Sequence, residues 1–348
     1  MKSVTRDSPV VLRWDLDKTY LVSDFESLRA LVRVPFERGR DKTAVPGVVA
    51  LIRGLRRVGQ RRRRPLQLFF LSGSPRQLAR AVRDKLAIDG IDYDGITFKD
   101  QVQHLMRGHF DALREQVGYK LSELLVAAHA TAPGSQELLF GDDWESDPFV
   151  YSLYADIVAG RIDRDRALRI VDRIGVERVY REPIAAALSR PLPDFRVAGV
   201  FVLRQKPRQA VDLEAFGHRL HWFDNYFECA LMLEAAGLLD AAGVVDVARD
   251  LALKPDVLST SFERVVARFG GPSRAALDVP RQALAARGLL DRGPRPRWFA
   301  RSLGRLKRRF GSPAAPLPRS TTVPPYEELV RTWTRARRDE RGENRNHG

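Results

Sequence analysis

The chain has 348 residues, 44% of them hydrophobic and 30% charged, which is enough apolar material to bury a core and excludes wholesale disorder. Its 59 Lys and Arg against 44 Asp and Glu give a formal net charge of +15, a basic excess that fits nucleic acid, an anionic membrane surface or a phosphorylated substrate. The single cysteine, Cys229, excludes an intrachain disulfide framework and any cysteine-built zinc or iron–sulfur site, and no apolar run approaches the ~18–20 residues of a membrane span.

In chain order, Lys2, Arg6 and Asp7 stand where a secretory signal would carry an apolar stretch, so the expectation is a cytoplasmic protein. Residues 9–14 (PVVLRW) form a short apolar run that ends at Asp15, and a helix is predicted over 48–57. The interval between holds Arg33, Arg38, Arg40 and Lys42 and is too short for a folded cap domain; it predicts a small flap over an open site. A basic run, Arg61 to Arg64, precedes a second apolar run, 65–71 (PLQLFFL), that ends at Ser72. Helices are predicted over 75–87, 108–128 and 147–159, a third apolar run at 137–140 (ELLF) ends at Gly141-Asp142, and a fourth at 197–203 (VAGVFVL) ends at Arg204. Short, bulky, turn-bounded runs alternating with helical patterns predict buried parallel strands wound with crossover helices. Such sheets bind ligands beyond the carboxyl ends of their strands, where Asp15, Ser72 and Asp142 fall.

After about residue 207 the pattern becomes helical, over 218–239, 241–253, 261–269 and 283–290. His218 and His221 then lie three apart on a helix, with Cys229 in its core. The basicity is mostly C-terminal: residues 281–348 carry 17 Lys and Arg against 6 Asp and Glu, leaving +4 for the rest. That stretch holds a basic cluster at 301–310 (RSLGRLKRRF), a Pro-rich linker at 311–325, and Leu329, Val330 and Trp333 at the spacing of a short docking helix. Three parts are expected: a catalytic domain over 1–206, a helical appendage over 207–310, and a linker with basic tail over 311–348.

Four motifs carry chemistry. Asp15 and Asp17, two apart after a strand, face one pocket if the chain turns there, and two acids in one site divide into an ionised nucleophile and a proton donor. Taken singly the pair is equally well an Asp-containing turn. Ser72-Gly73-Ser74-Pro75 offers a hydroxyl and backbone N–H groups to an oxyanion, while Ser74 alone reads as the cap of the next helix. The acids of Gly141-Asp142-Asp143-Trp144-Glu145-Ser146-Asp147 suit an oxygen-loving divalent cation such as Mg2+, or else form a solvated loop. Lys120, placed near a helix start, could offset phosphoryl charge, with Lys99 as its rival.

The ordered set, D-x-D-x-T, strand–Ser, Lys, then G-D-D-x-x-x-D, resembles the haloacid dehalogenase-like phosphohydrolase superfamily. Within it, the chain is most similar to the App1-type phosphatidate phosphatase catalytic domain. The narrower likeness rests on Val45-Pro46-Gly47 before a helix, on Ser72-Gly73-Ser74-Pro75-Arg76-Gln77-Leu78, and on Gly141 to Asp147 with Tyr151 or Tyr154 downstream. It covers residues 9–205. Lys18 stands where that family usually has a third acid, and Asp143 where it usually has Ser.

The resemblance implies an α/β doubly wound parallel sheet with a minimal cap and a phosphatase that passes through an aspartyl-phosphate. Asp15 is then the nucleophile and Asp17 the general acid and base. Mg2+ is held by Asp15, the backbone carbonyl of Asp17, and Asp142, with Asp143 and Asp147 in support. Ser72 and the Gly73 N–H bind a phosphoryl oxygen and Lys120 offsets charge. The expected substrate is a phosphomonoester such as a phosphatidate-like lipid, and the basic C-terminus would make the protein peripheral to an anionic membrane. The alternatives are a phosphatase acting on nucleic-acid ends or phosphoprotein, and a non-catalytic basic binding module.

Overall fold

In a computed structural model that describes residues 8–22, 42–99, 109–144, 146–205, 216–217, 220–268, 276–290 and 322–331, strand β1 (Val10–Asp15) is buried at every position. A strand without a solvent face has both edges paired. β1 pairs in parallel with β4 (Leu66–Pro75) on one side and β6 (Gln136–Asp142) on the other. β5 (Gly95–Lys99) extends the sheet beyond β4, and β7 (Arg196–Leu203) and β8 (Leu220–Phe223) extend it beyond β6. The result is six parallel strands in the order β5-β4-β1-β6-β7-β8. A separate antiparallel ribbon joins β2 (Leu21–Val22) to β3 (Thr43–Ala44). It ties together the two ends of the expected flap, whose residues 23–41 lie outside the described ones.

Because side chains alternate along a strand, the sheet divides its apolar residues between two cores. Leu12, Trp14, Leu138, Phe140, Phe201 and Leu203 face one side. Helices α1 (Val48–Arg61), α2 (Ala79–Ile88), α7 (Tyr226–Ala235), α8 (Ala241–Leu251), α9 (Pro255–Arg268) and α10 (Asp278–Ala285) contribute to that core. Trp14 stacks on Phe140 at 3.8 Å, and Phe140 on Phe201 at 5.0 Å, so three neighbouring strands share one aromatic column. The other face, with Leu139, Val200 and Val202, packs α3 (His109–Ala128), α4 (Asp147–Val158), α5 (Arg164–Ile174) and α6 (Arg178–Leu188). A buried Arg13–Glu137 ion pair joins β1 to β6 on this side, and the Tyr154 phenol donates to Glu137 Oε2 at 2.7 Å, fixing α4 to the sheet.

The fold matches the expected α/β sheet, with two strands the sequence pattern did not give. β5 begins at Gly95, where a Cβ would lie 2.8 Å from the Phe69 ring, so the strand starts with a residue of poor strand propensity required by close packing. β8 lies inside the stretch predicted as one helix over 218–239. Asn225, at φ −155°, stops the strand, and its side chain accepts from the Glu228 N–H to cap α7. His221 therefore sits in a strand against Phe201 rather than on a helix with His218, which lies outside the described residues, as does His104. Residues 220–285 thus supply a sheet strand as well as helices, and those helices share a core with β1. Cys229 is buried in α7, where burial pushes its thiol well above the ordinary range.

The basic run at the end of α1 is used structurally. Arg61 pairs with Asp240 at 2.9 Å, and Arg62 and Arg64 donate to the carbonyls of Gly237 and Ser8. The cluster at 301–310 and the linker through residue 321 lie outside the described residues. Beyond them, residues 326–331 form a short helical turn docked on α4 and α5. Tyr326 is fully buried, its phenol donating to Asp156 Oδ2 at 2.6 Å and its ring meeting Phe149 edge-on; Glu327 pairs with Arg166 at 3.0 Å. Val330 packs as the spacing predicted, and Trp333 lies outside the described residues. Among the described residues no helix is long and apolar enough to cross a membrane. Replacing Tyr326 with Ala removes a large buried ring and one of the hydrogen bonds to Asp156; it should cost about 3 kcal/mol, measured by urea unfolding.

Candidate active site

The strand register sets the site. Asp15 is paired with Leu71, the residue before Ser72, and Trp14 with Phe140, two before Asp142. The carboxylates and the hydroxyl therefore emerge at adjoining carboxyl ends of β1, β4 and β6. α3 brings Lys120 from its middle, not from its start, and α4 brings Asp147 at its first position.

Asp15, Asp142 and Asp147 are each fully buried, and their carboxylate oxygens lie within 4.8 Å of one another. Lys120, also fully buried, stands between two of them, its Nζ 2.8 Å from Asp15 Oδ1 and 2.5 Å from Asp147 Oδ1. Thr19 bridges a second pair, its Oγ1 3.2 Å from Asp15 Oδ2 and 3.2 Å from Asp142 Oδ2. One ammonium does not balance three buried carboxylates, and a low-dielectric pocket makes the surplus negative charge costly. An all-oxygen, net-anionic donor set of this kind fits a hard divalent cation.

Gly141 makes room for this group. A Cβ there would sit 2.2 Å from Asp147 Oδ2, so only glycine lets the Asp147 carboxylate lie against β6. Tyr151 and Tyr154, equivalent from the sequence, separate here. Burial, and after it the negative charge of Asp147, pushes the Tyr151 phenol well above its ordinary value, so it stays neutral beside the acids. Tyr154 turns to Glu137 instead.

Asp17 lies outside that group of three carboxylates. Its Oδ2 accepts from Ser72 Oγ at 3.1 Å, and both of its oxygens accept from Ser74 Oγ, at 3.0 and 2.9 Å. Ser74 is thus not the helix cap that its place before Pro75 implied. β4 runs on through Pro75 with a register shift between Ser72 and Pro75, and the next turn, Arg76–Leu78, has no side-chain cap. Gly73 is half-buried in this bulge, and a Cβ there would meet nothing closer than Gln116 Nε2 at 3.9 Å.

Asp143 is not brought into the carboxylate group. Its Oδ1 accepts from the Gln205 backbone N–H at 2.8 Å, while the Gln205 side chain donates to the Lys18 carbonyl at 2.5 Å. Lys18 has a left-handed backbone, φ 61°, and its ammonium lies 3.8 Å from the centre of the Trp144 ring, which is 37% exposed at the rim. The two positions that depart from the family pattern are therefore joined through Gln205. The rival lysine, Lys99, pairs with Glu115 at 2.7 Å. Arg204 turns toward β8, where it pairs with Asp224 at 2.6 Å and lies over Trp222.

Three contributors escaped the sequence reading. Thr19 was visible as the last letter of D-x-D-x-T and Ser74 as the second serine of its motif, each with a helix cap as the ordinary explanation. Tyr226 had no local signal: from α7 its phenol donates to the Thr19 carbonyl at 2.7 Å and lies 3.4 Å from the Trp14 indole nitrogen.

With this geometry in hand, residues 13–164 match a family model described as phosphatidate phosphatase APP1, catalytic domain. Among curated proteins none matches the chain. The segment spans β1 to the first residue of α5 and includes Asp15, Asp17, Ser72, Lys120, Asp142 and Asp147. The six-stranded parallel sheet flanked by helices is an α/β fold consistent with a haloacid dehalogenase-like domain, and the matched segment is similar to a phosphatase catalytic domain.

Two outcomes check the electrostatics. Lys120→Met leaves its buried carboxylates without their ammonium and should cost about 3–5 kcal/mol in metal-free urea unfolding, with part of the loss recovered on adding Mg2+. Gly141→Ala should displace Asp147 and abolish the rise in melting temperature expected of the parent protein on adding a divalent cation such as Mg2+, read by calorimetry.

Proposed function

We propose that the chain is a Mg2+-dependent phosphatase that hydrolyses phosphomonoesters through an aspartyl-phosphate on Asp15, with a phosphatidate-like lipid as its substrate class. The observation that carries this reading is the pairing of two differently held acids. Asp15 meets the Lys120 ammonium, which offsets negative charge at a nucleophile; Asp17, two residues on, meets the hydroxyls of Ser72 and Ser74 and takes the part of proton donor and acceptor.

Asp15, Asp142 and Asp147 would hold the cation, which when bound neutralises phosphoryl oxygens facing the anionic nucleophile. An Asp15 oxygen attacks phosphorus, the ester P–O bond breaks, and Asp17 gives its proton to the leaving oxygen. A water then loses a proton to Asp17 and attacks the aspartyl-phosphate, which frees inorganic phosphate and restores Asp15. Lys120 bridges Asp15 and Asp147 and offsets negative charge throughout. The Ser72 hydroxyl and the Gly73 N–H receive a phosphoryl oxygen.

The interval between the first two motifs is too short for a folded cap domain, which favours a large substrate over a small metabolite. The basic C-terminal residues then hold the enzyme on an anionic surface, at about 1 kcal/mol per well-placed Lys or Arg.

The test is phosphate release from a panel of phosphatidate vesicles, 5′-phosphorylated oligonucleotides and phosphopeptides, with and without Mg2+. Turnover of phosphatidate that is lost on chelation, and lost at least 1,000-fold in Asp15→Asn with the fold intact, is expected. Turnover confined to oligonucleotides or phosphopeptides replaces the substrate class; near-parental activity in Asp15→Asn removes the mechanism.

A further inference from the structure

Ser72 carries one hydroxyl proton, and two acceptors compete for it. In the structure it goes to Asp17 Oδ2, while the Ser72 oxygen accepts from the Ser74 N–H at 3.1 Å. The phosphatase reading, on which this inference rests, gives the same hydroxyl to a phosphoryl oxygen. A hydroxyl donates once, so binding the phosphoryl group takes Ser72 away from Asp17. Something else must then keep Asp17 in line with the leaving oxygen, because misplacement of the donor by about 1 Å can cost ~100-fold.

We propose that Ser74 is the positioning residue of the acid–base carboxylate, the hydroxyl that holds Asp17 while Ser72 turns to the phosphoryl group. Ser74 Oγ reaches both Asp17 oxygens, at 3.0 and 2.9 Å, and the residue is only 6% exposed, so the contact is screened from water. The bulge that follows Ser72 is what brings a second side chain of β4 to the same carboxylate. Along a regular strand, residues 72 and 74 would share a face but lie nearly 7 Å apart, too far for both hydroxyls to meet one carboxylate head-on. The same bond to the Ser74 N–H keeps the Ser72 oxygen in place as its proton changes partner. Ser74 does not touch the substrate in this arrangement; it acts through Asp17 alone.

A positioning role for the proton donor has a signature that general damage lacks. An alkyl phosphate leaves as a poor alkoxide and depends on Asp17, whereas p-nitrophenolate leaves without a proton. The experiment measures kcat and KM of the full chain with Mg2+ on p-nitrophenyl phosphate and on short-chain phosphatidate, for the parent, Ser74→Ala, Ser74→Cys, Ser74→Thr and Ser72→Ala. Expected for Ser74→Ala is a 10- to 100-fold lower kcat/KM on phosphatidate and under threefold on the aryl ester, because kcat/KM reports formation of the aspartyl-phosphate and not its hydrolysis, the step in which Asp17 serves both esters alike. Ser74→Cys, close in shape and a weak donor, should follow Ala and guards against a folding defect in any one variant; Ser74→Thr should recover most of the loss. Ser72→Ala should instead raise KM for both esters. Equal losses of kcat/KM on the two esters overturn the proposal while leaving the phosphatase intact. Parent protein that releases phosphate from neither ester overturns the phosphatase reading and this one with it.

Discussion

Three buried carboxylates held around one buried ammonium are the constraint on which the rest of the structure depends. Asp15, Asp142 and Asp147 repel one another, and no amount of apolar packing elsewhere removes that local cost. What tolerates it is a set of contacts among them: Lys120 between Asp15 and Asp147, Thr19 between Asp15 and Asp142, and Gly141 yielding space to Asp147. The two elements that carry these groups in from the helical layer are anchored far from the chemistry. α4 is tied by Tyr154 to the Arg13–Glu137 pair and by Asp156 to Tyr326, so the position of Asp147 rests on a whole helix held at several points.

Much of this was legible from residue types and their order, for a physical reason. A central parallel strand is buried on both faces, so its sequence is an unbroken apolar run, and the first polar residue after it marks the ligand-binding edge of the sheet. Asp15, Ser72 and Asp142 were found that way. Edge strands have no such signature. β5 starts on a glycine demanded by Phe69, and β8 is four residues whose pattern merges with the apolar helix behind it, separated only by Asn225. Contacts between distant segments were also silent. Nothing local to Tyr226 connects it with Thr19, and Asp143 looked like one more acid of a metal loop until Gln205, sixty-two residues on, took its oxygen.

The charge divides along similar lines. The basic run closing α1 is consumed in contacts with Asp240, Gly237 and Ser8, and the arginines near β8 face Asp224, Glu228 and Trp222. Burial pushes Glu228 up to about 7, the mark of an acid valued for its place in that network rather than for its charge. The net excess of the chain lies instead in residues 281–348.

The strand order has one more implication. The segment that matches the family model stops at residue 164, before β7 and β8, yet β6 lends its whole length, Gln136 to Asp142, to β7. A protein trimmed to the matched segment would leave seven consecutive residues of a buried, apolar strand with unpaired amides and carbonyls along one side, and with Asp142 at its tip. Bare edges of that kind join to others of their kind. The motif thus sits on a sheet whose central strands are paired along both sides only once residues well beyond the motif have taken their places.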